Sequence, residues 1–274
     1  MKIADNSQPV SSFIKPFHAN IKRYTAAMNA RTRRRLATIN RKFYREVAQE
    51  FDRTRARPWA GWKPLLPHLA TLPPQPRVLD VGCGNGRFAR YLMDHIGAIQ
   101  YTGVDYSPEM LHMARERLPD AQLIARDLVS EAPPAGPFDL VVCFGFLHHV
   151  PGRAQRLELV RALAQALAPG GLLTFVTWRF ADFERLSRRI VPWPADLADE
   201  VENNDFLLDW KRGAYALRYC HHCDAAEHRA LVDAAGLVEI ASWCADGPDN
   251  AANRFSLLQR PHQGAAPEPD ACAD

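Results

Sequence analysis

The chain has 274 residues, of which 47% are hydrophobic and 24% are charged, a composition that suits a globular domain with one sizeable core. No stretch reaches the ~20 apolar residues of a membrane span, and the N-terminus lacks the apolar run of a signal peptide. We therefore expect a cytoplasmic protein with no membrane partner, whose six cysteines are thiols and not disulfides.

The net charge of +3 conceals an uneven distribution. Residues 1–57 carry 14 lysines and arginines against four acidic residues, whereas the rest of the chain carries 20 against 27. A basic N-terminal arm, taken as residues 1–60, can steer the protein toward a polyanion such as RNA. The alternative is a helix whose solvated face happens to be basic, and charge alone does not decide between them.

Apolar periodicity predicts the elements in chain order. Residues 1–20 show no periodicity, and from Arg31 to Phe51 apolar residues recur at helical spacing among arginines. Prolines then mark a linking stretch, residues 58–76, with one short helix. Beyond it, apolar runs alternate with helical patterns: strands at Arg77–Gly82, Gln100–Asp105, Gln122–Asp127, Phe138–Phe144 and Leu172–Trp178, and helices at Arg87–His95, Pro108–Leu118 and Ala154–Ala168.

Strands separated by helices predict parallel βαβ units, and hence an α/β fold with a doubly wound sheet. Residues 181–217 break the alternation and are expected to form a small inserted cap. A helix at Asp224–Ala235 and strands at Leu237–Trp243 and Arg254–Arg260 complete a domain that we place at residues 61–262. The tail, residues 263–274, is rich in Ala, Pro and Asp and is expected to be disordered.

The segment VLDVGCGNGRFARYL, Val78–Leu92, carries the strongest functional signal. An apolar strand reaches Asp80, glycines at 82, 84 and 86 make a tight turn, and a helix follows. Glycine lets the backbone turn without strain and approach a ligand closely. The GxGxG spacing fits a pyrophosphate-binding turn less well than GxGxxG, and Asp105 ends the next strand where ribose hydroxyls would be held.

The segments VLDVGCGNG, TGVDYSPEML, ARDL, FDLVVCFGFLHHV and LAPGGLLTF resemble, in order, the motifs of class I S-adenosylmethionine-dependent methyltransferases. The resemblance implies a seven-stranded, mostly parallel, Rossmann-like sheet whose last strand is antiparallel, with S-adenosylmethionine as the cofactor. It also implies the cofactor-binding residues: Gly82, Gly84 and Gly86 against the methionine moiety, Asp80 at its amino end, Asp105 at the ribose, Asp127 and Leu128 at the adenine, with Tyr106 and Cys143 beside them.

Two flanking stretches resemble one branch of that class, the tRNA methyltransferases that esterify the carboxymethyl group of a wobble uridine. Phe51–Trp59 matches the pattern FDxTRxxPW, Leu217–Cys223 (LRYCHHC) resembles Arg-Tyr-Tyr-His, and the pair Asp249–Asn250 belongs to the same pattern. Eukaryotic members work with a small zinc-binding activator protein, so the resemblance implies tRNA as substrate and raises such an activator as a partner. The two cysteines of LRYCHHC depart from the branch and leave the exact acceptor open.

A carboxylate acceptor makes chemical sense of these residues. With a pKa near the ~4 of side-chain carboxyls it is already an anion at neutral pH, so its methylation needs alignment and exclusion of water but no general base. The arginine fork can hold one face of a carboxylate. The catalytic candidates are therefore Arg55 and Arg218 as a carboxylate or phosphate clamp, Tyr219 and His221 as further donors or stacking groups, and His148 at the ligand-binding edge of the sheet.

The LRYCHHC segment also raises a zinc site and a redox pair. Zinc needs four ligands, and the adjacent histidines cannot both easily reach an ion held by Cys220 and Cys223, so no metal is expected. A reactive thiolate is favoured where Cys223 precedes a helix, but the surrounding sheet is not thioredoxin-like. We interpret both cysteines as half-buried thiols in a substrate-facing loop.

Two alternatives to a tRNA methyltransferase stay open, because a methyltransferase fold says little about the acceptor. One is a small-molecule methyltransferase that acts on an oxygen or nitrogen of a metabolite. The other is a non-catalytic binding module with the same fold.

Overall fold

The computed structural model describes residues 27–55 and 57–262, so the segment 1–20 and the tail 263–274 lie outside the described residues. The helices are α1 (Ala30–Arg53), α2 (Leu66–Leu69), α3 (Arg87–Ile96), α4 (Pro108–Arg117), α5 (Arg153–Gln165), α6 (Glu184–Ser187) and α7 (Ala225–Ala235). The strands are β1 (Arg77–Val81), β2 (Gln100–Asp105), β3 (Gln122–Ala125), β4 (Phe138–Cys143), β5 (Leu167–Trp178), β6 (Ile190–Val191), β7 (Asp205–Trp210), β8 (Ala216–His221), β9 (Val238–Ala245) and β10 (Asn253–Gln259). Within these ranges no helix has the length and apolar character needed to cross a bilayer.

Seven strands form one sheet in the order β3-β2-β1-β4-β5-β10-β9. The pairs from β3 to β5 are parallel, whereas β10 is antiparallel to both β5 and β9. The predicted α/β fold, with a seven-stranded, mostly parallel, Rossmann-like sheet, is confirmed. The strand order reverses between β1 and β4, and ligands of such sheets bind at the carboxyl ends of the strands near that reversal.

The central strands are buried because hydrophobic clusters cover both faces of the sheet. Leu163 of α5 and Leu231 of α7 belong to one cluster, and Trp62 belongs to the other, together with side chains of α3. Trp62 falls in the stretch predicted as a link, yet its ring is fully buried and packs against Phe88 and Phe144. Pro64 lies inside a short 3-10 helix, Ala60–Leu65, and Pro67 lies in the first turn of α2, so this stretch is helical and its tryptophan contributes to the core.

Helix α1 extends the predicted helix Arg31–Phe51 by one residue at its start and two at its end, and it is docked on the domain. Its first turn is capped by Asn29, whose side chain accepts a hydrogen bond from the Thr32 backbone nitrogen at 2.9 Å. Its apolar stripe packs against the inserted sheet, where Phe43 meets Trp210 edge-on at 5.8 Å between ring centroids. The basic face of the same helix stays in solvent.

The segment between β5 and α7 folds into an antiparallel sheet, β6-β7-β8. The cap was expected at residues 181–217, but β8 continues to His221, which pairs with Asp205. Residues 217–221 of LRYCHHC are therefore strand, and the predicted loop is wrong. The strand was missed because β7 and β8 are buried on both faces and lack an alternating pattern.

The two cysteines of this segment are buried and not half-exposed. Cys220 lies inside the strand and Cys223 packs in the main core. Burial raises the pKa of both thiols to about 12. Because metal binding and disulfide exchange use the thiolate, this environment disfavours both chemistries.

Candidate active site

A cavity opens at the carboxyl ends of β1, β2, β4 and β5, the edge where the strand order predicts a ligand. Helix α1 contributes Tyr44 to its wall and strand β8 contributes Arg218. The turn after β1 adds Gly82, and the loop after β9 adds Asp246. Segments that are far apart in the sequence therefore meet at one site.

The glycine turn forms one wall of the cavity. Gly82, Gly84 and Gly86 have φ angles of +70°, +55° and +73°, which side-chain-bearing residues rarely adopt. A Cβ on Gly82 would lie 2.7 Å from the Cβ of Phe146, and one on Gly86 would lie 2.5 Å from a methyl of Leu118. Gly82 and Gly84 line the cavity, whereas Gly86 stands at the start of α3. The turn thus brings bare backbone to a ligand.

Two carboxylates face this wall, Asp80, which is buried, and Asp105, which is partly exposed. Asp80 accepts a hydrogen bond from the Tyr101 hydroxyl at 2.7 Å, and burial raises its pKa to about 7. Asp105 accepts backbone hydrogen bonds from Gly84 and Ser107, each at 2.9 Å, and burial raises its pKa as well. Neither forms an ion pair with a lysine or arginine of the described chain. An ammonium group and ribose hydroxyls would supply the missing partners, so the donor set fits S-adenosylmethionine.

The remaining predicted cofactor residues have other contacts. Tyr106 lines the cavity, and its hydroxyl donates to a backbone carbonyl of α1 at 2.9 Å. Asp127 forms an ion pair with Arg41 of α1, so its contact with a ligand would require that pair to open. Leu128 and Cys143 are buried in the main core. The structure gives these last two a packing role in place of the predicted cofactor contact.

Arg55 and Arg218, the predicted clamp, both line the cavity and have no ion-pair partner within residues 27–55 and 57–262. Arg218 is only 5% exposed, its Nε has no hydrogen-bond partner, and its guanidinium lies 5.1 Å from the ring of Trp178. Arg55 lies over Phe51 at 4.4 Å, and burial together with nearby Arg218 lowers its pKa to about 10. A buried and a half-buried cation that have no carboxylate partner in the described chain would suit an anionic ligand.

Arg87 is a third cavity-lining arginine, and it was not predicted as a site residue. It lies over the rings of Trp59 and Trp62 at 4.9 and 5.0 Å. Burial and the nearby charge of Arg55 lower its pKa to about 9. Its position directly after the last glycine of the turn was the available signal, since this residue begins the helix beside the ligand.

A pair of neutral histidines completes the wall near Arg218. Burial lowers the pKa of His148 well below its usual range, and its Nδ1 has no hydrogen-bond partner. His149 was not predicted as a site residue; burial lowers its pKa to about 3. Its Nδ1 lies 3.0 Å from the Tyr219 carbonyl, so Nε2 can accept from the Tyr44 hydroxyl at 3.1 Å. This contact holds the Tyr44 ring at the cavity, a role that helical periodicity could not reveal.

Tyr219 and His221, both predicted as catalytic, do not line the cavity. The Tyr219 hydroxyl donates to Asp205 at 2.8 Å, and the His221 ring lies between Asp205 at 2.8 Å and Glu227 at 2.7 Å. Arg156 of α5 donates to Glu227 at 2.6 Å. Burial and Arg156 lower the pKa of His221, but its two carboxylate hydrogen bonds outweigh them and the pKa is raised. Both residues hold β8 against α5 and α7.

The pair Asp249–Asn250 lies beside the cavity but does not line it. The Asn250 side chain accepts a hydrogen bond from the backbone of Asp246 at 2.8 Å, and all three residues have positive φ angles between 53° and 61°. Asp246 is the residue of this turn that lines the cavity. The pair therefore shapes the loop that presents Asp246.

A family model described as a methyltransferase domain matches residues 51–242. The chain belongs to this methyltransferase family. It is an enzyme domain of class I, and S-adenosylmethionine is its cofactor. The glycine turn and the two unpaired carboxylates of the cavity agree with that assignment.

Relatives of this methyltransferase include enzymes with different acceptors. It is 37% identical over 166 residues to trans-aconitate 2-methyltransferase of Streptomyces avermitilis, covering 55% of this chain and 58% of that protein. It is 30% identical over 135 residues to tRNA (carboxymethyluridine(34)-5-O)-methyltransferase ALKBH8 of Mus musculus, covering 49% of this chain and 19% of that protein. The chain spans about half the length of the curated relatives it matches.

Solved structures share the fold at low sequence identity. The N-methyltransferase NodS of Bradyrhizobium japonicum, in complex with S-adenosylhomocysteine, has a TM-score of 0.55 at 18% identity, covering 82% of this chain and all of that one. A methyltransferase from Clostridium acetobutylicum has a TM-score of 0.59 at 13% identity, covering 80% of this chain and 99% of that chain. These likenesses concern the fold, and the acceptor has to be argued from the cavity.

Proposed function

We propose that this methyltransferase transfers a methyl group from S-adenosylmethionine to a carboxylate oxygen of its acceptor. The observation that carries the proposal is the pair Arg55 and Arg218, which face the cavity with no carboxylate partner in the described chain. A buried guanidinium without an anion is costly unless a ligand supplies the anion. An acceptor that arrives as an anion offsets that cost in the complex.

The residues of the cavity suit this reaction without a general base. Arg55 and Arg218 would bind and orient the carboxylate, while the rings of Phe51 and Trp178 keep water from it. When bound, S-adenosylmethionine supplies an electrophilic methyl group on a sulfonium. The lowered pKa keeps His148 neutral, so it can form a hydrogen bond with the acceptor without adding charge.

Our proposed acceptor is the carboxymethyl group of a wobble uridine in tRNA. It is supported by the flanking motifs, by the similarity to the mouse tRNA methyltransferase, and by the exposed basic face of α1, which includes Arg31, Arg34 and Arg45. Basic side chains on one helix face can contact successive phosphates, and binding then weakens as salt rises. The cytoplasm, where we expect the protein, would supply tRNA.

A small polycarboxylic acid is the second candidate acceptor. The specific observation that favours it is the depth of Arg218, which belongs to β8 and is only 5% exposed. A compact acid could enter such a site whole, and the Streptomyces relative is named for a small acid. Both candidate acceptors would present a carboxylate to Arg55 and Arg218. They differ in the rest of the molecule, which is a tRNA in one case and a small acid in the other.

The test offers the purified chain tritiated S-adenosylmethionine with either unfractionated tRNA or a panel of di- and tricarboxylic acids. Label in tRNA that mild alkali releases would indicate an ester and support the tRNA proposal. Labelled small acids with unlabelled tRNA would move the assignment to the second candidate. Alkali-stable label in every acceptor would overturn carboxylate methylation itself.

A charge-matched control separates tRNA binding from general charge. Replacing Arg31, Arg34 and Arg45 by Gln should weaken tRNA methylation and flatten its salt dependence. The control variant should keep the tRNA methylation and the salt dependence of the wild type. It replaces by Gln three exposed arginines outside α1, which are Arg90, Arg115 and Arg229. Equal effects of the two triple variants would contradict a specific role for α1.

The activator partner and the non-catalytic alternative are tested with the same protein. A small zinc-binding activator stays a prediction, and full activity of the purified chain on tRNA would refute the need for it. Failure to bind S-adenosylhomocysteine in calorimetry would favour a non-catalytic binding module.

A further inference from the structure

Arg87 and Asp80 lie on either side of the glycine turn with opposite charges, and both line the cavity. Arg87 donates to the backbone carbonyl of Arg57 at 3.1 Å and stacks on two tryptophan rings, but no carboxylate of the described residues forms an ion pair with it. Among the described residues, the Tyr101 hydroxyl is the one side chain that forms a hydrogen bond with Asp80. The fold therefore holds two opposite charges next to a bare backbone turn and pairs neither.

The surroundings of Arg87 differ from those of the acceptor clamp. Besides Arg55, the charges that act on Arg87 are acidic: Asp246, Asp80 and Asp52. The first charge that acts on Arg55 is that of Arg218, another cation. The cavity thus has a cationic end at Arg218 and an end of mixed charge at the glycine turn.

We propose that Arg87 binds the α-carboxylate of the methionine moiety of S-adenosylmethionine while Asp80 faces its α-ammonium. The two groups sit on one carbon atom, so they require a cation and an anion presented side by side. The glycine turn allows the backbone to come close to that carbon. The proposal concerns the cofactor and does not depend on which acceptor is methylated.

The rings of Trp59 and Trp62 preorganise Arg87 for this role. Contact with the two rings, 4.9 and 5.0 Å from the guanidinium carbon, restricts the guanidinium, whose remaining N–H groups can reach a planar anion. Because burial destabilises the uncompensated charge, a carboxylate in contact with it gains more than a carboxylate in water would. We therefore expect Arg87 to contribute to cofactor affinity and not only to packing.

Calorimetry with two ligands tests the proposal without any turnover. S-adenosylhomocysteine carries the amino-acid moiety, whereas 5′-methylthioadenosine lacks it. Arg87→Met should weaken S-adenosylhomocysteine binding by about tenfold to a hundredfold, the range for one charge-assisted hydrogen bond, and leave 5′-methylthioadenosine binding within about twofold. Arg87→Lys should restore part of the loss. The control is Arg90→Met, exposed on the same helix, which should change neither affinity.

Three results would overturn the assignment. Equal losses for both ligands would mean that Arg87 only shapes the cavity. Unchanged affinity for S-adenosylhomocysteine in Arg87→Met would mean that no contact with the carboxylate exists. A loss confined to S-adenosylhomocysteine in Arg55→Met, with Arg87→Met unaffected, would assign the carboxylate to Arg55.

Discussion

Replacing Arg218 by Met separates two effects of its buried charge, the effect on folding stability and the effect on binding of the acceptor. In the folded protein Arg218 is 5% exposed and unpaired, so it bears a desolvation cost that its stacking on Phe43 and Trp178 offsets in part. Methionine fills a similar apolar volume without the charge. We expect the free energy of unfolding of R218M to stay equal or to rise by up to ~2 kcal/mol.

The same change should be severe for catalysis. Removing one partner of a buried charge pair costs about 2–5 kcal/mol, which corresponds to a fall in kcat/KM of about 30- to 5000-fold for a carboxylate acceptor. The assays are denaturant unfolding and steady-state methyl transfer on the same preparation. Arg156→Met is the matched comparison, because Arg156 is also buried, at 1% exposed, but it is paired with Glu202 and Glu227. That variant should lose about 3–5 kcal/mol of stability.

The following result would refute a role of Arg218 in binding the acceptor. If R218M unfolds more easily by over ~2 kcal/mol and keeps its kcat/KM, then Arg218 stabilises β8 through its aromatic contacts and does not bind the acceptor. If R218M loses both stability and activity, the loss of activity could follow from unfolding. In that case Arg218→Lys must restore methyl transfer, and a failure to do so would also refute the proposal.

Three further predictions concern pH and the glycine turn. In the protein without cofactor, the Asp80 carboxyl has a pKa of about 7, and it should lose its proton when it faces the ammonium group of the ligand. The affinity for S-adenosylhomocysteine should therefore fall about tenfold from pH 8 to pH 6. Calorimetry should show that D80N removes this pH dependence. Because the pKa of His221 is raised in the folded protein, its stabilising effect is complete below about pH 6.5 and is lost as pH rises through the pKa of the folded state. The difference in unfolding free energy between wild type and H221Q should therefore shrink toward pH 9. A difference that stays constant with pH would contradict this prediction. Gly82→Ala places a Cβ 2.7 Å from Phe146 at a positive φ, so it should cost about 1–3 kcal/mol and weaken cofactor binding; unchanged calorimetry and thermal unfolding would show that the turn relaxes.

The main sheet was predictable because its signals are local. Each βα unit shows a short apolar run, a turn residue and a helical pattern within about 25 residues, and resemblance supplied the antiparallel strand. The same holds for α1, whose apolar stripe is uninterrupted. The glycine turn was recognised because its unusual backbone conformation restricts the residue type.

The inserted sheet was not predictable in the same way, and the errors at the site follow from it. In a strand, alternate side chains point to opposite sides. Arg218 therefore faces the cavity while Tyr219 and His221 belong to the network with Asp205 and Glu227. Because LRYCHHC was predicted to be a loop, the alternation of side chains along a strand could not be used to separate Arg218 from Tyr219 and His221. The role of His149 depends on contacts with α1 about 105 residues away, which no local pattern encodes.

The contact between α1 and β8 has a consequence for how acceptor preference can change. The Asn40 side chain accepts a hydrogen bond from the backbone of Tyr219 at 2.8 Å, and Phe43 packs on Trp210, so the two segments form one surface although some 180 residues separate them. The cofactor turn follows β1 of the seven-stranded sheet, whereas β8 belongs to the three-stranded sheet. A chimera that takes only β7 and β8 from a relative would mismatch α1. One that exchanges both segments keeps their shared surface, but it must also preserve Arg41, because this residue of α1 pairs with Asp127 at the predicted adenine site. Recombination within this family would have to move the two together.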